Sequence, residues 1–385
     1  MQIKLVDDNI SKNDINTVIK FLKTNPKLSQ GDKVKEFEEK FAQWNQSKYA
    51  VFVNSGSSAN LAMIYAISLY KKLRNKRVVV PAISWSTTVA PLIQLGFEPI
   101  ICDVDETLCL DTNEFKNIIS KYEPSVLMLV HPLGYSADMS KITELCINND
   151  IELLEDTCES LGSDFDLQSL GTFGIMSSFS TFISHHITSI EGGMVCTDNE
   201  DLYNILLMIR SHGWDRNLNS DKQQELRKKF NIDDFKALYT FYYPAFNIRN
   251  TEINAVIGLE QLNRLNEFIN KREHNFYRYE ENLNDVLSYL IKNTRSYVMS
   301  NFAYPIVSKY KQNIVKNLIK NDIECRPIIC GNIAKQPFIK PYLKYNIETP
   351  MANLIDEYGL YLPNHPNLTN KQIDFVCEKI KESLK

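Results

Sequence analysis

From Lys48 onward, short apolar runs rich in β-branched residues alternate with longer segments whose apolar positions recur every three to four residues. The runs Tyr49–Asn54, Arg77–Pro81, Glu98–Val104, Val126–His131 and Ile151–Glu155 have the length and near-continuous hydrophobicity of strands covered on both faces. Between them, Ser58–Leu73, Thr87–Leu95, Asn113–Lys121 and Ser140–Asn149 carry the helical period. This alternation predicts an α/β fold built on a mostly parallel sheet flanked by helices, and such sheets bind ligands where strands end and helices begin. After Ser177 the pattern changes to a hairpin-like pair, Ser177–Thr181 and Gly193–Thr197, followed by a helix over Glu200–Ser211. An amphipathic helix starting near Thr251, with Ile253, Val256, Ile257, Leu262 and Leu265 at helical spacing, predicts the link into a smaller C-terminal α+β domain.

A chain of 385 residues exceeds what one core usually organises. The expected division is a large domain over residues 1–250, N-terminal segment included, and the linking helix with the small domain over residues 251–385. With 44% hydrophobic residues and 13 glycines and 14 prolines spread along its length, the chain reads as globular throughout. A net charge of -4 offers no broad attraction for nucleic acid or an anionic membrane, so any phosphate must be held by a local site. Met1–Ile10 lacks an apolar signal core and no run is long enough to cross a bilayer, which predicts a cytoplasmic protein. The eight cysteines fit no zinc spacing and read as buried small apolar residues, so no metal site is expected.

Three segments carry candidate chemistry. Val53-Asn54-Ser55-Gly56-Ser57-Ser58-Ala59-Asn60 places small residues at the exit of a strand and the start of a helix, where close backbone approach, free N–H groups and hydroxyls can cradle a phosphate; the same residues also make ordinary capped turns. Glu155-Asp156 ends an apolar strand, which turns a carboxylate toward the ligand edge unless it serves only as a helix cap. Ser177-Ser178-Phe179-Ser180-Thr181 leads through Ser184-His185-His186-Ile187 to Glu191-Gly192-Gly193.

These three motifs in this order resemble the DegT/DnrJ/EryC1/StrS sugar aminotransferase family, and the resemblance runs from Leu28-Ser29-Gln30-Gly31 to Leu360-Tyr361-Leu362-Pro363. It implies the fold of the type I pyridoxal-phosphate aminotransferases. In that family the lysine that anchors the cofactor lies six residues before the glutamate of Glu-Gly-Gly, and here that count from Glu191 falls on His185. Within the family a histidine at this place marks the 3-dehydratases of nucleotide-linked 4-keto-6-deoxy sugars, and Ser184–Ile187 with Ser211-His212-Gly213-Trp214 most resembles those acting on GDP sugars.

Carried over residue by residue, the resemblance gives Gly56, Ser57, Ser58 and Ser180 to the cofactor phosphate, Trp85 to the face of the pyridine ring, Asp156 to its nitrogen and Glu159 to its hydroxyl. Asn247 would reach the phosphate from a neighbouring subunit, which implies a homodimer with shared sites, and His212 and Arg249 would approach the substrate.

Histidine can shuttle protons near neutral pH but has no primary amine with which to tether an aldehyde. The cofactor, pyridoxal or pyridoxamine phosphate, is therefore expected to be held non-covalently, with L-glutamate as amino donor and His185 as acid and base in removing the C3 hydroxyl. Three other readings remain open at this level: a nucleotide-sugar 4-aminotransferase, an iron–sulfur-dependent CDP-sugar 3-dehydratase, and a scaffold without activity. The scattered cysteines weigh against the second, and the retained Asp156, Ser57 and Ser180 against the third.

Overall fold

The computed structural model describes residues 2–6, 10–284, 291–292 and 296–384, so part of Met1–Ile10 lies outside the described residues. Its strands are β1 (Tyr49–Val53), β2 (Arg77–Pro81), β3 (Glu98–Cys102), β4 (Val126–Val130), β5 (Glu152–Asp156), the two-residue β6 (Asp164–Phe165) and β7 (Gln168–Ser169), then β8 (Met176–Ser180), β9 (Gly193–Thr197), β10 (Tyr304–Val307) and β11 (Gly359–Leu362). Seven of them form one sheet in the order β1-β9-β8-β5-β4-β2-β3. Strands β8, β5, β4, β2 and β3 run parallel, while β9 is antiparallel to both β8 and β1. The predicted α/β alternation is thus present, and the hairpin-like pair after Ser177 is the antiparallel β8–β9 pairing.

Helices cover both faces, which is why the strands read as unbroken apolar runs rather than as alternating ones. Val78, Val79, Val80, Leu127 and Leu129 are fully buried, and each contributes roughly 1.5–3 kcal/mol by leaving water. The helices that follow β1 and β2, Gly56–Tyr70 and Ser86–Gln94, start at the same sheet edge, where β5 also ends.

The long helix expected from Thr251 is two helices, Glu252–Leu262 and Leu265–Leu283. Thr251 caps the first through its side-chain oxygen, and the chain leaves the helical basin at Arg264 (φ -108, ψ 0) before the second begins. The Glu252 carboxylate accepts from the backbone N–H groups of Gly31, Lys33 and Val34 at 2.8–2.9 Å, which fixes this helix to the start of the helix Asp32–Trp44. That helix and Lys12–Leu22 were not legible in the sequence pattern. Beyond residue 300, β10 and β11 form an antiparallel pair beside the helices Lys311–Lys320, Pro350–Tyr358 and Asn370–Glu382, the expected small α+β unit. No described helix is long and apolar enough to cross a membrane.

Candidate active site

Ser55, two residues past the end of β1, is extended and caps the helix Gly56–Tyr70, its Oγ accepting from Ser58 N–H at 3.0 Å. The N–H groups of Gly56 and Ser57 have no partner among the described residues, so two donors and the positive end of the helix dipole face outward. Gly193 lies between Val53 on one side and Ser180 on the other. A Cβ on Gly193 would sit 2.3 Å from the Ser55 carbonyl oxygen, and one on Gly56 would sit 2.8 Å from Ser180 Cβ. Glycine at both places lets the helix start, β8 and β9 close on one another, which gives the Gly-Gly of the third motif a steric reason.

Asp156, at the end of β5, is nearly buried, and its carboxylate is held from behind. Oδ2 accepts from Asn60 Nδ2 and from the Thr88 hydroxyl, each at 2.8 Å, and Oδ1 accepts from Cys158 N–H at 3.2 Å. The Ser178 hydroxyl donates to Asn60 Oδ1 at 2.6 Å, which fixes the amide so that its NH₂ faces the aspartate. Asn60, Thr88 and Ser178 belong to three different elements and were missed in the sequence, where each reads as an ordinary helix or strand residue.

His185 lies in the turn between β8 and β9. Its Nδ1 is 2.7 Å from the carbonyl oxygen of Cys158; a carbonyl only accepts, so Nδ1 carries the proton and Nε2 is left as the basic nitrogen. Burial pulls the imidazole down from 6.5 to about 4, Arg272 adds to that effect, and the Cys158 carbonyl and Asp156 oppose it. The ring therefore stands neutral at physiological pH. His186 is fully buried and turned away, its Nε2–H donating to the Ser300 carbonyl at 2.9 Å. Glu159 accepts from Leu133 N–H at 3.1 Å and burial raises its carboxyl to about 7.

Seven of the predicted site residues, Gly56, Ser57, Trp85, Asp156, Glu159, Ser180 and His185, line one cavity of about 390 Å³. Trp85 is 53% exposed, so it serves the cavity wall rather than the core. The Ser180 hydroxyl accepts from Phe182 N–H at 3.3 Å and keeps its own proton to donate. Phe302, Ile329 and Tyr361 close the cavity from the C-terminal part, another contribution the sequence did not announce. Ser58 is not brought in, since its hydroxyl donates to Asn54 at 2.6 Å. Asn247, His212 and Arg249 gather outside the cavity: Arg249 Nε–H donates to the exposed Asn247 at 3.0 Å, and its Nη2 lies 3.4 Å from His212 Nε2.

The arrangement fits a phosphorylated pyridine: unclaimed N–H donors at a helix start, an exposed aromatic face, and a carboxylate braced by three donors lie around one cavity. Among the described residues no lysine lines it. The model of the DegT/DnrJ/EryC1/StrS aminotransferase family matches residues 8–381. The chain belongs to this family.

Among similar proteins is a GDP-4-keto-6-deoxy-D-mannose 3-dehydratase of Yersinia pseudotuberculosis, 38% identical over 96% of this chain and 95% of that one. A crystal structure of GDP-4-keto-6-deoxymannose-3-dehydratase with a trapped PLP-glutamate geminal diamine superposes with a TM-score of 0.91 at 33% identity, covering 98% of this chain and all of the other. A histidine-to-asparagine mutant of such an enzyme with bound GDP-perosamine gives a TM-score of 0.90 at 33% identity over 98% of this chain and all of the other. The fold is that of the type I pyridoxal-phosphate aminotransferases.

Proposed function

We propose that this chain removes the C3 hydroxyl of a GDP-linked 4-keto-6-deoxy sugar, using pyridoxamine phosphate held without a covalent link and L-glutamate as amino donor. The observation that carries this reading is an imidazole, His185, and among the described residues no lysine, in a cavity with a braced aspartate. The relatives named above support the GDP sugar and the glutamate.

When bound, pyridoxamine phosphate supplies an amine for the sugar ketone and a ring that accepts electrons. Gly56 and Ser57 N–H groups with the Ser57 and Ser180 hydroxyls would hold its phosphate, Trp85 its ring face, Asp156 its ring nitrogen and Glu159 its ring hydroxyl. Ser58 supports the phosphate turn indirectly, its N–H donating to the capping Ser55 hydroxyl. Asp156, kept in place by Asn60 and Thr88, favours a protonated ring nitrogen by charge. His185 Nε2 takes up a proton and, once protonated, delivers one to the departing C3 oxygen, so that hydroxide never has to leave as such. Phe302 and Tyr361 narrow the approach of water.

We further propose that the enzyme is a cytoplasmic homodimer in which Asn247 of each subunit, with His212 and Arg249 beside it, completes the other's site, and that its product enters O-antigen or capsule synthesis. Balance requires that each sugar losing one oxygen convert one glutamate into 2-oxoglutarate and ammonia. Incubating the enzyme with GDP-4-keto-6-deoxymannose, pyridoxal phosphate and glutamate should yield, by mass spectrometry, a sugar nucleotide lighter by one oxygen atom, with 2-oxoglutarate in equal amount. A sugar bearing a new amino group, or no turnover, would overturn the reading.

A further inference from the structure

Arg272 lies within the helix Leu265–Leu283 and is 2% exposed, yet no carboxylate pairs with it among the described residues. Its guanidinium is fastened instead to backbone carbonyls from three segments. Nη1 donates to Phe302 O at 2.9 Å, to Asn301 O at 3.5 Å and closely to Asn364 O, and Nη2 donates to His185 O at 3.4 Å. Nε is buried without a partner among the described residues. The Phe302 ring lies beside both the charge and the two histidines, its centroid 6.0 Å from the Arg272 guanidinium carbon, 5.1 Å from the His185 ring and 6.0 Å from the His186 ring.

A buried cation without a counter-ion is costly, and carbonyl dipoles offset only part of that cost. Burial lowers the guanidinium to about 9, still charged at neutral pH. A charge kept at such expense directly behind His185 calls for a role beyond packing, because an apolar side chain of similar length would fill the space more cheaply.

We infer that Arg272 is a positioning residue for the reaction: it ties the His185 turn to the Asn301-Phe302 and Asn364 segments and sets an unshared positive charge behind the imidazole. This rests on the reading of His185 as the proton carrier. The charged and titratable groups around that ring are Asp156, Cys158 and Glu159 from the end of β5, His186 and Glu191 from its own loop, Tyr361 from β11, and Arg272. Arg272 acts to keep the imidazole neutral and Asp156 acts the other way. Burial is the larger influence and Arg272 adds to it, so without the cation a second proton would bind His185 at a higher pH than it does with the cation in place.

The test is the titration of His185, followed by NMR on holoenzyme carrying isotope-labelled histidine and assigned with His185→Asn. Activity is not needed for this readout, so failure of the functional reading leaves it intact. Arg272→Gln should move the His185 midpoint upward toward the free-imidazole value of about 6.5, and the acid limb of kcat/KM should move with it. Arg272→Lys keeps the charge and should leave the midpoint in place, while amide hydrogen exchange over residues 182–188 quickens because an ammonium cannot span three segments. A midpoint unmoved by Arg272→Gln, or moved as far by Arg272→Lys, overturns the electrostatic role. If the glutamine variant does not fold, the lysine variant decides alone: a fixed midpoint with faster exchange supports the inference, and a shifted midpoint or unchanged exchange overturns it.

Discussion

The Nδ1–H of His185 donates to the carbonyl oxygen of Cys158 across 2.7 Å, and Cys158 follows Asp156 by two residues. One short segment after β5 thus aims the carboxylate assigned to the pyridine nitrogen and fixes the tautomer of the base. The link leaves Nε2 as the proton acceptor. Because burial draws His185 down to about 4, the base form persists well below the ordinary imidazole range. The sign follows directly: a base is lost when it protonates, so kcat/KM should fall only as pH drops toward that value, with no break near 6.5 from this residue. Glu159, raised to about 7, titrates at neutral pH, and any break there should vanish in Glu159→Gln. A break near 6.5 that survives that substitution would show that His185 is not held neutral.

Thr88→Val keeps the shape of the side chain and removes the hydroxyl that donates to Asp156 Oδ2 at 2.8 Å. A hydrogen bond to a charged acceptor contributes about 1.5–3 kcal/mol, and Asn60 still donates to the same oxygen. The expected result is roughly tenfold weaker binding of pyridoxal phosphate, read by absorbance titration, with the protein folded. Unchanged affinity would mean that the brace on Asp156 does not matter to the cofactor.

What could be read in advance follows from how far each signal extends along the chain. The strands announced themselves because helices bury both of their faces, and His185 was found because Glu191-Gly192-Gly193 pins the register of its loop, with Gly193 wedged against Ser55. The brace on Asp156 was invisible: Asn60 and Thr88 lie 96 and 68 residues from it, and neither residue type is unusual in a first or second helical turn. Phe302 and Tyr361 were likewise hidden, since nothing local tells an aromatic in the C-terminal part to face a cavity formed by the sheet. The break between Leu262 and Leu265 carries no glycine or proline, so periodicity alone ran the two helices together.

Asn247 is exposed, outside its own cavity, and held by the Arg249 guanidinium. If it completes the partner's phosphate site, Asn247→Ala should weaken cofactor binding without lowering the melting temperature. The sharper measurement mixes the Asn247→Ala protein with inactive His185→Asn protein. A hybrid dimer then has one site carrying both defects and one carrying neither, so part of the activity should return. Hybrids that form, as shown by differential tagging, but stay inactive would place Asn247 outside the partner's site.

Reversing the histidine to the family's usual residue tests the whole assignment. In the protein as it stands, borohydride should fail to fix pyridoxal phosphate, because no lysine lines the cavity among the described residues and imidazole offers no primary amine. His185→Lys restores that amine where the relatives of the aminotransferase type carry theirs. The variant should acquire a pyridoxal absorbance band that borohydride converts into a permanent adduct, located by peptide mass spectrometry at position 185. Dehydration should fall sharply, since an amine engaged with the cofactor is unavailable as a base and its flexible stem does not reproduce the place that the Cys158 carbonyl gives the imidazole. Amination of the sugar at C4 becomes the competing outcome. Should the variant stay free of cofactor after borohydride and keep its dehydratase rate, position 185 does not face the cofactor; His186, sealed from solvent and bonded to Ser300, could replace it only if the loop were to turn over.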